Sequence, residues 1–255
     1  MTFNVAAEAY DRFMGRYSRG LSAHLADLAG VRRGQRVIDV GSGPGTLTAE
    51  LVARLGADHV AAVDPSEPFV AAVRTRHPGV AVFQASAESL PFEAGIFDAA
   101  LAQLVVHFMA DPVAGLREMG RVTRRGGVVA ASVWDHAGGT GPLGVFWRAA
   151  RDLDPGVHDE SGLAGAREGH LAQLFAEAGL AEVESTVLSA AVEHPTFEEW
   201  WEPFAGGVGP AGAYVASLDP DRRAQLRDHC RSLLPAAPFV VTARAWAARG
   251  VVRRD

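Results

Sequence analysis

The sequence contains no lysine; its 24 Lys+Arg residues are all arginine. This absence excludes a Walker-type phosphate loop, Schiff-base or pyridoxal chemistry and a lysine general base. Cysteine is nearly absent too. The single Cys230 excludes an intrachain disulfide, a CxxC redox pair and any multi-cysteine zinc or iron–sulfur site. Basic excess is also missing, with 30 acids against 24 arginines and a formal net charge of −6. Proteins that grip phosphate backbones usually carry a basic stripe. Here the densest basic runs are bare arginine pairs, such as Arg124-Arg125 and Arg222-Arg223, so no nucleic-acid partner is expected. There is no run of 18 apolar residues, and Glu8, Asp11 and Arg12 stand where a signal peptide would be apolar. The expectation is a cytoplasmic protein with no membrane partner. Histidines and acids lack metal-ligand spacing, so no metal site is expected.

What is present is an ordinary globular composition: 255 residues, 48% apolar and 21% charged. That length predicts one domain with a sizeable core. Residues 3–14 and 21–29 read as two short helices. From residue 36 apolar strand-like stretches alternate with helices: strands at 36–40, 59–63, 80–83, 96–105 and 128–134. Asp111-Pro112 is an N-cap followed by proline at the first helical position. Alternation of this kind predicts a doubly wound, mostly parallel sheet. Further on, helices are expected at 146–153, 168–178 and 220–233, with strands at 181–192 and 239–247. The glycine-rich 206–210 stretch reads as a flexible loop. Residues 192–236, rich in aromatics, read as an insertion that caps the carboxyl edge of the sheet.

The first strand runs straight into Gly41-Ser42-Gly43-Pro44-Gly45. Glycines in such a turn let backbone approach a ligand closely. A dinucleotide fingerprint would put its third glycine at position 46, which is Thr46. The second strand ends at Asp64, nineteen residues past Gly45, where a carboxylate can grip a ribose diol. Spacing therefore suits an adenosine ligand and disfavours an NAD-dependent oxidoreductase.

Residues 37–45 (VIDVGSGPG) resemble motif I of the class I S-adenosylmethionine-dependent methyltransferases. The resemblance continues through Ala62-Val63-Asp64-Pro65-Ser66, Ala87-Glu88-Ser89-Leu90-Pro91-Phe92, Phe97-Asp98-Ala99-Ala100 and Leu116–Arg121 with Gly126-Gly127, and covers about residues 34–134. It implies a Rossmann-like seven-stranded sheet of order 3-2-1-4-5-7-6, last strand antiparallel, with an N-terminal helical lid (1–33), a cofactor core (34–134) and remaining sheet plus cap (135–255). It further implies a cytoplasmic enzyme that binds S-adenosylmethionine, yields S-adenosylhomocysteine and methylates an O, N or C atom of a small organic molecule. Gly41 and Gly43 then lie under the methionine part, Asp64 binds the ribose hydroxyls, Phe69 packs on the adenine, and Ala87 and Glu88 take over its amine contact; Asp39 (a loop-capping acid or a ligand group), Ser42 and Pro65 complete the expected cofactor-binding set. Gln103 borders the methionine moiety, and Arg16 on the lid meets its carboxylate. Ser86 stands where the family often has an aspartate, which weakens one adenine contact. His107, just past the fourth strand, is the candidate catalytic or pocket-lining group. A silent cofactor-binding scaffold is the non-enzymatic alternative.

Overall fold

The computed structural model describes residues 14–207 and 209–253. Seven strands form one sheet in the order β3-β2-β1-β4-β5-β7-β6. They are β1 (Val37–Val40), β2 (Val60–Asp64), β3 (Ala81–Gln84), β4 (Phe97–Gln103), β5 (Thr123–Trp134), β6 (Ala181–His194) and β7 (Phe239–Val251). The first five pair in parallel, and β7 runs antiparallel to both β5 and β6. The expected sheet and strand order are therefore present.

Nine α-helices occur among the described residues: α1 (Arg16–Leu28), α2 (Thr46–Leu55), α3 (Glu67–Arg76), α4 (Pro112–Val122), α5 (Gly144–Leu153), α6 (His170–Glu177), α7 (Phe197–Ala205), α8 (Gly209–Ser217) and α9 (Pro220–Leu233). Two apolar clusters cover the two faces of the sheet. One joins Ile38, Val40 and Phe97 to Leu116 and Met119 of α4. The other joins Val37, Leu101 and Ala130 to Leu21 and Leu25 of α1 and Leu47 and Leu51 of α2. The helices fit because their apolar residues recur every three or four positions, which makes one stripe per helix. Asp111 caps α4, its Oδ1 accepting the Ala114 N–H at 2.9 Å.

Three local expectations need correction. The helix expected from 21 begins at Arg16, while residues 3–13 of the expected first helix lie outside the described residues. The fifth strand starts at Thr123 and carries Gly126 and Gly127 within it. A Cβ at Gly127 would press on the Asp98 carbonyl at 2.6 Å, so glycine there permits close strand approach where the β4–β5 register shifts. Lastly, the glycine-rich stretch after residue 205 joins two helices, α7 and α8. A Cβ at Gly212 would collide with Gly207, so these glycines serve tight helix-on-turn packing.

Trp134 of β5 pairs with Ala245, whereas His194 of β6 pairs with Phe239. The β6–β7 pair thus projects six residues past the end of β5 on the carboxyl edge, and α7–α9 hang from that projection. They share a third apolar cluster with α5, in which Phe146 stacks on Phe204 at 4.6 Å. Burying each such ring contributes about 1.5–3 kcal/mol.

Candidate functional site

β1 and β4 are neighbours whose onward connections run to opposite sides of the sheet, so a crevice opens beyond their carboxyl ends. There the structure has a cavity of about 290 Å³. Its floor is the loop after β1. Gly41 and Ser42 both donate their N–H groups to the Val63 carbonyl, at 2.8 and 2.9 Å, which curls the loop over the end of β2. Gly41 has φ +70°, and a Cβ there would run into the Val105 side chain. Gly43 has φ +53° and open space where a Cβ would be. Glycine is required at the first for room and conformation, at the second for conformation and an open cavity.

Asp64 ends β2 and ties two loops together. Its Oδ2 accepts the Gly43 N–H and its Oδ1 the Ser66 N–H, both at 2.8 Å. Burial raises its pKa, and the two backbone bonds pull the other way. Each carboxylate oxygen retains a second lone pair for a ligand hydroxyl. Asp39 is 1% exposed. Thr48 Oγ1 donates to its Oδ2 at 2.6 Å, while Oδ1 has no partner. Burial pushes its pKa up to about 7; the Thr48 bonds oppose that and Asp64 adds to it. Gln103 donates from Nε2 to the Ser18 carbonyl of α1 at 3.0 Å, and its buried Oε1 also lacks a partner. Glu88 accepts the N–H groups of Ala110 (2.8 Å) and Asp111 (3.3 Å), which holds the segment before α4 against the cavity.

The structure therefore brings together Asp39, Gly41, Ser42, Gly43, Asp64, Pro65, Phe69, Ala87, Glu88 and Gln103 in one wall, with Ser86 among them. Two expected residues are elsewhere. Arg16 does not line this cavity: its Nη1 binds Glu199 Oε1 at 2.6 Å and its Nη2 the Glu193 carbonyl at 2.7 Å. That salt bridge holds α1 to α7 and engages the guanidinium expected to meet a cofactor carboxylate. His107 is also absent from the wall. Its ring lies against Phe108 (3.9 Å between centroids) and His136 (5.5 Å), with Nδ1 unpartnered. Burial, with the neighbouring His136 adding to it, drives its pKa well below the usual imidazole value. The ring is therefore neutral and packs beside the cavity wall, against Phe108 and His136.

Sequence reasoning missed the other side of the wall, formed by Leu104, Val105, Phe108, Met109 and Ala110. The available signal was the run's position at the end of β4, but not which of its members turn inward. Trp200 and Trp201 are both buried in the third cluster. Trp200 borders a second, small void near Arg16, Tyr17 and His194. Among the described residues, no cluster of His, Cys, Asp and Glu is arranged to hold a metal ion, and no helix is long and apolar enough to cross a membrane.

A seven-stranded mixed sheet of this order, with an acid-lined cavity at the β1–β4 edge, defines the class I methyltransferase fold. Residues 38–131 match the family model for a methyltransferase domain. A demethylmenaquinone methyltransferase from Beutenbergia cavernae is 43% identical over 101 residues, which is 40% of this chain and 41% of that protein. A malonyl-[acyl-carrier protein] O-methyltransferase from Erwinia billingiae is 33% identical over 127 residues, 50% of this chain and 49% of that one. The match thus spans less than half the length of either relative. In fold, the chain is similar to phosphoethanolamine N-methyltransferase 2 of Haemonchus contortus, with TM-score 0.60 and 16% identity over 97% of this chain and 57% of that one. Over residues 38–131 the chain is thus similar in sequence to methyltransferase domains, and its fold is that of class I methyltransferases.

Proposed function

We propose that this protein transfers the methyl group of S-adenosylmethionine to an O, N or C atom of a small organic molecule. The charge of the cavity carries this reading. Three carboxylates, Asp39, Asp64 and Glu88, line it, and no arginine or histidine does among the described residues. Such a surface attracts a ligand bearing a sulfonium and an ammonium and repels the pyrophosphate of a dinucleotide. The free acceptors fit the group as well: Asp39 Oδ1 and Gln103 Oε1 are unpartnered, and Asp64 keeps lone pairs for ribose hydroxyls.

When bound, the cofactor supplies an electrophilic methyl group on a sulfur that leaves readily. The chain's contribution is to bind, orient and exclude water. The Gly41–Gly43 loop lies under the amino-acid portion, with Asp39 and Gln103 facing its ammonium. Asp64 holds the ribose and Pro65 flanks it. Phe69 offers a ring face to the adenine, with Ala87 and Glu88 at its edge. Leu104, Val105, Phe108 and Met109 supply an apolar side where water is excluded. Alignment of acceptor and methyl at about 3–3.5 Å is then the main source of rate. Acceptors that are already nucleophilic need no base, which agrees with a cavity wall without imidazole. Residues 135–255 complete the single domain, and their helices α5 and α7–α9 stand at the same carboxyl edge, where they cap the acceptor.

Calorimetry with S-adenosylhomocysteine and with NADH tests the reading. S-adenosylhomocysteine is expected to bind, and Asp64→Ala to weaken it at least about tenfold, the value of a charge-assisted hydrogen bond. Binding of NADH without S-adenosylhomocysteine would overturn the assignment. Transfer of labelled methyl to a panel of small acceptors separates an enzyme from a silent cofactor-binding scaffold.

A further inference from the structure

We propose that donor binding is coupled to the release of one proton from Asp39, so that the cavity takes up its cationic ligand in exchange for a proton. This rests on the reading of the cavity as the S-adenosylmethionine site. Asp39 sits on β1 between β2 and β4 and is 1% exposed. Its hydrogen bonds among the described residues come from Thr48 on α2 alone, by hydroxyl and backbone, and its second oxygen has no partner. Among the described residues, the neighbouring elements present nothing that would balance an ionised carboxylate there. β2 contributes Asp64, a second acid. β4 contributes Gln103, whose Oε1 is itself an unsatisfied acceptor. From α1 comes the Ser18 carbonyl, already engaged by Gln103. Beyond Thr48, the charged residues of α2 are Glu50 and Arg54, which pair with each other, Arg54 also with Asp27. His77 lies beyond α3 next to Gly45, on the far side of the loop.

A buried carboxylate supported by one residue and with an acid for a neighbour is costly to ionise. Its pKa of about 7 puts roughly half of the ligand-free molecules in the protonated form at neutral pH. A ligand ammonium placed at the two unpartnered oxygens reverses the balance, because an opposite charge within a few ångströms favours the ionised form. The Asp39 O–H bond then breaks with its electron pair left on the carboxylate, and the proton passes to buffer. Below neutral pH proton and ligand compete, so affinity falls as pH falls; above it the competition disappears.

The test is isothermal calorimetry with S-adenosylhomocysteine, which has the ammonium and no sulfonium, in phosphate and in Tris. Wild-type protein at pH 7 is expected to give enthalpies that differ between buffers and correspond to about half a proton released, with Kd about tenfold weaker at pH 6 than at pH 8. Asp39→Asn, which cannot ionise, should bind with buffer-independent enthalpy and a flat profile. Thr48→Val removes the side-chain bond that supports the ionised form, leaves the backbone one, and should move the wild-type midpoint to higher pH. This variant keeps the proposal testable if the asparagine variant does not fold. Binding with buffer-independent enthalpy and a flat wild-type profile would overturn it, as would a profile unchanged in Asp39→Asn. Absence of S-adenosylhomocysteine binding at every pH would instead overturn the cofactor reading itself.

Discussion

Leu104 decides which side chains after β4 reach the cavity. It has φ +61°, a left-handed conformation that few non-glycine residues adopt and that costs on the order of 1 kcal/mol or more. Its N–H still reaches the Ser132 carbonyl at 2.8 Å, so the turn is held from β5. After this twist Val105 and Phe108 face the cavity, Val106 enters the core beside Leu116, and His107 turns toward His136. Proximity in sequence to Gln103 therefore says little about His107. Its replacement by alanine should leave S-adenosylhomocysteine affinity within about twofold and lower stability by about 1–3 kcal/mol, the usual cost of emptying a packed site. Calorimetry and urea unfolding check the two halves. A tenfold loss of affinity would put the ring back at the cavity.

At the scale of elements, α1 joins two parts of the molecule. One turn of it, at Ser18, receives the Gln103 bond in the cofactor wall. The preceding residues reach the cap side: Arg16 to Glu199 on α7, and Tyr17, whose hydroxyl lies 2.8 Å from His194 Nε2 at the end of β6. The Arg16 pair is partly exposed on both sides, so its net worth is modest, about 0.2–1 kcal/mol. Arg16→Ala is accordingly expected to lower stability by no more than about 1 kcal/mol and to leave S-adenosylhomocysteine affinity unchanged. A large loss of affinity in calorimetry would show that the guanidinium leaves Glu199 for the ligand carboxylate.

The whole molecule carries a pH dependence set by its buried ionisable groups. His136 and His194 are held down to about 4 by burial, and His107 lies well below its usual value. In the unfolded chain these three imidazoles titrate near 6.5. Between about pH 4.5 and 6 the unfolded chain thus holds up to three protons that the native state lacks. Asp39 and Asp64, raised by burial, act in the opposite sense, because the native state keeps carboxyl protons that the unfolded chain has lost. Glu160 is raised too, but His77 and His170 are lowered as well, so five imbalanced imidazoles face three carboxyls and the excess stays on the unfolded side. Stability should then fall with acidification by about 1.4 kcal/mol per pH unit for each net proton. Thermal unfolding at pH 7 and pH 5 measures this; an equal or higher Tm at pH 5 would contradict it.

Most of the sheet was legible in the chain itself, because a parallel strand buried on both faces shows as a short apolar run and an amphipathic helix as a 3.6-residue stripe. Val37–Val40, the Asp111 cap and the Pro220–Leu233 helix follow from such local rules. So do Gly41, Gly43 and Asp64, since the turn after β1 and the acid ending β2 obey backbone constraints acting over a few residues. Side-chain direction in irregular segments is not local. The inward turn of Phe108 and Met109 depends on a backbone bond to β5, the burial of both Trp200 and Trp201 on α5 packing from another part of the chain, and the pairing of Arg16 on an acid 183 residues away. The protonation of Asp39 belongs to the same group. One residue letter carries an ordinary carboxylate pKa, and only the packed surroundings, with hydrogen bonds from Thr48 alone, one neighbouring acid and no balancing cation among the described residues, move it to neutral pH.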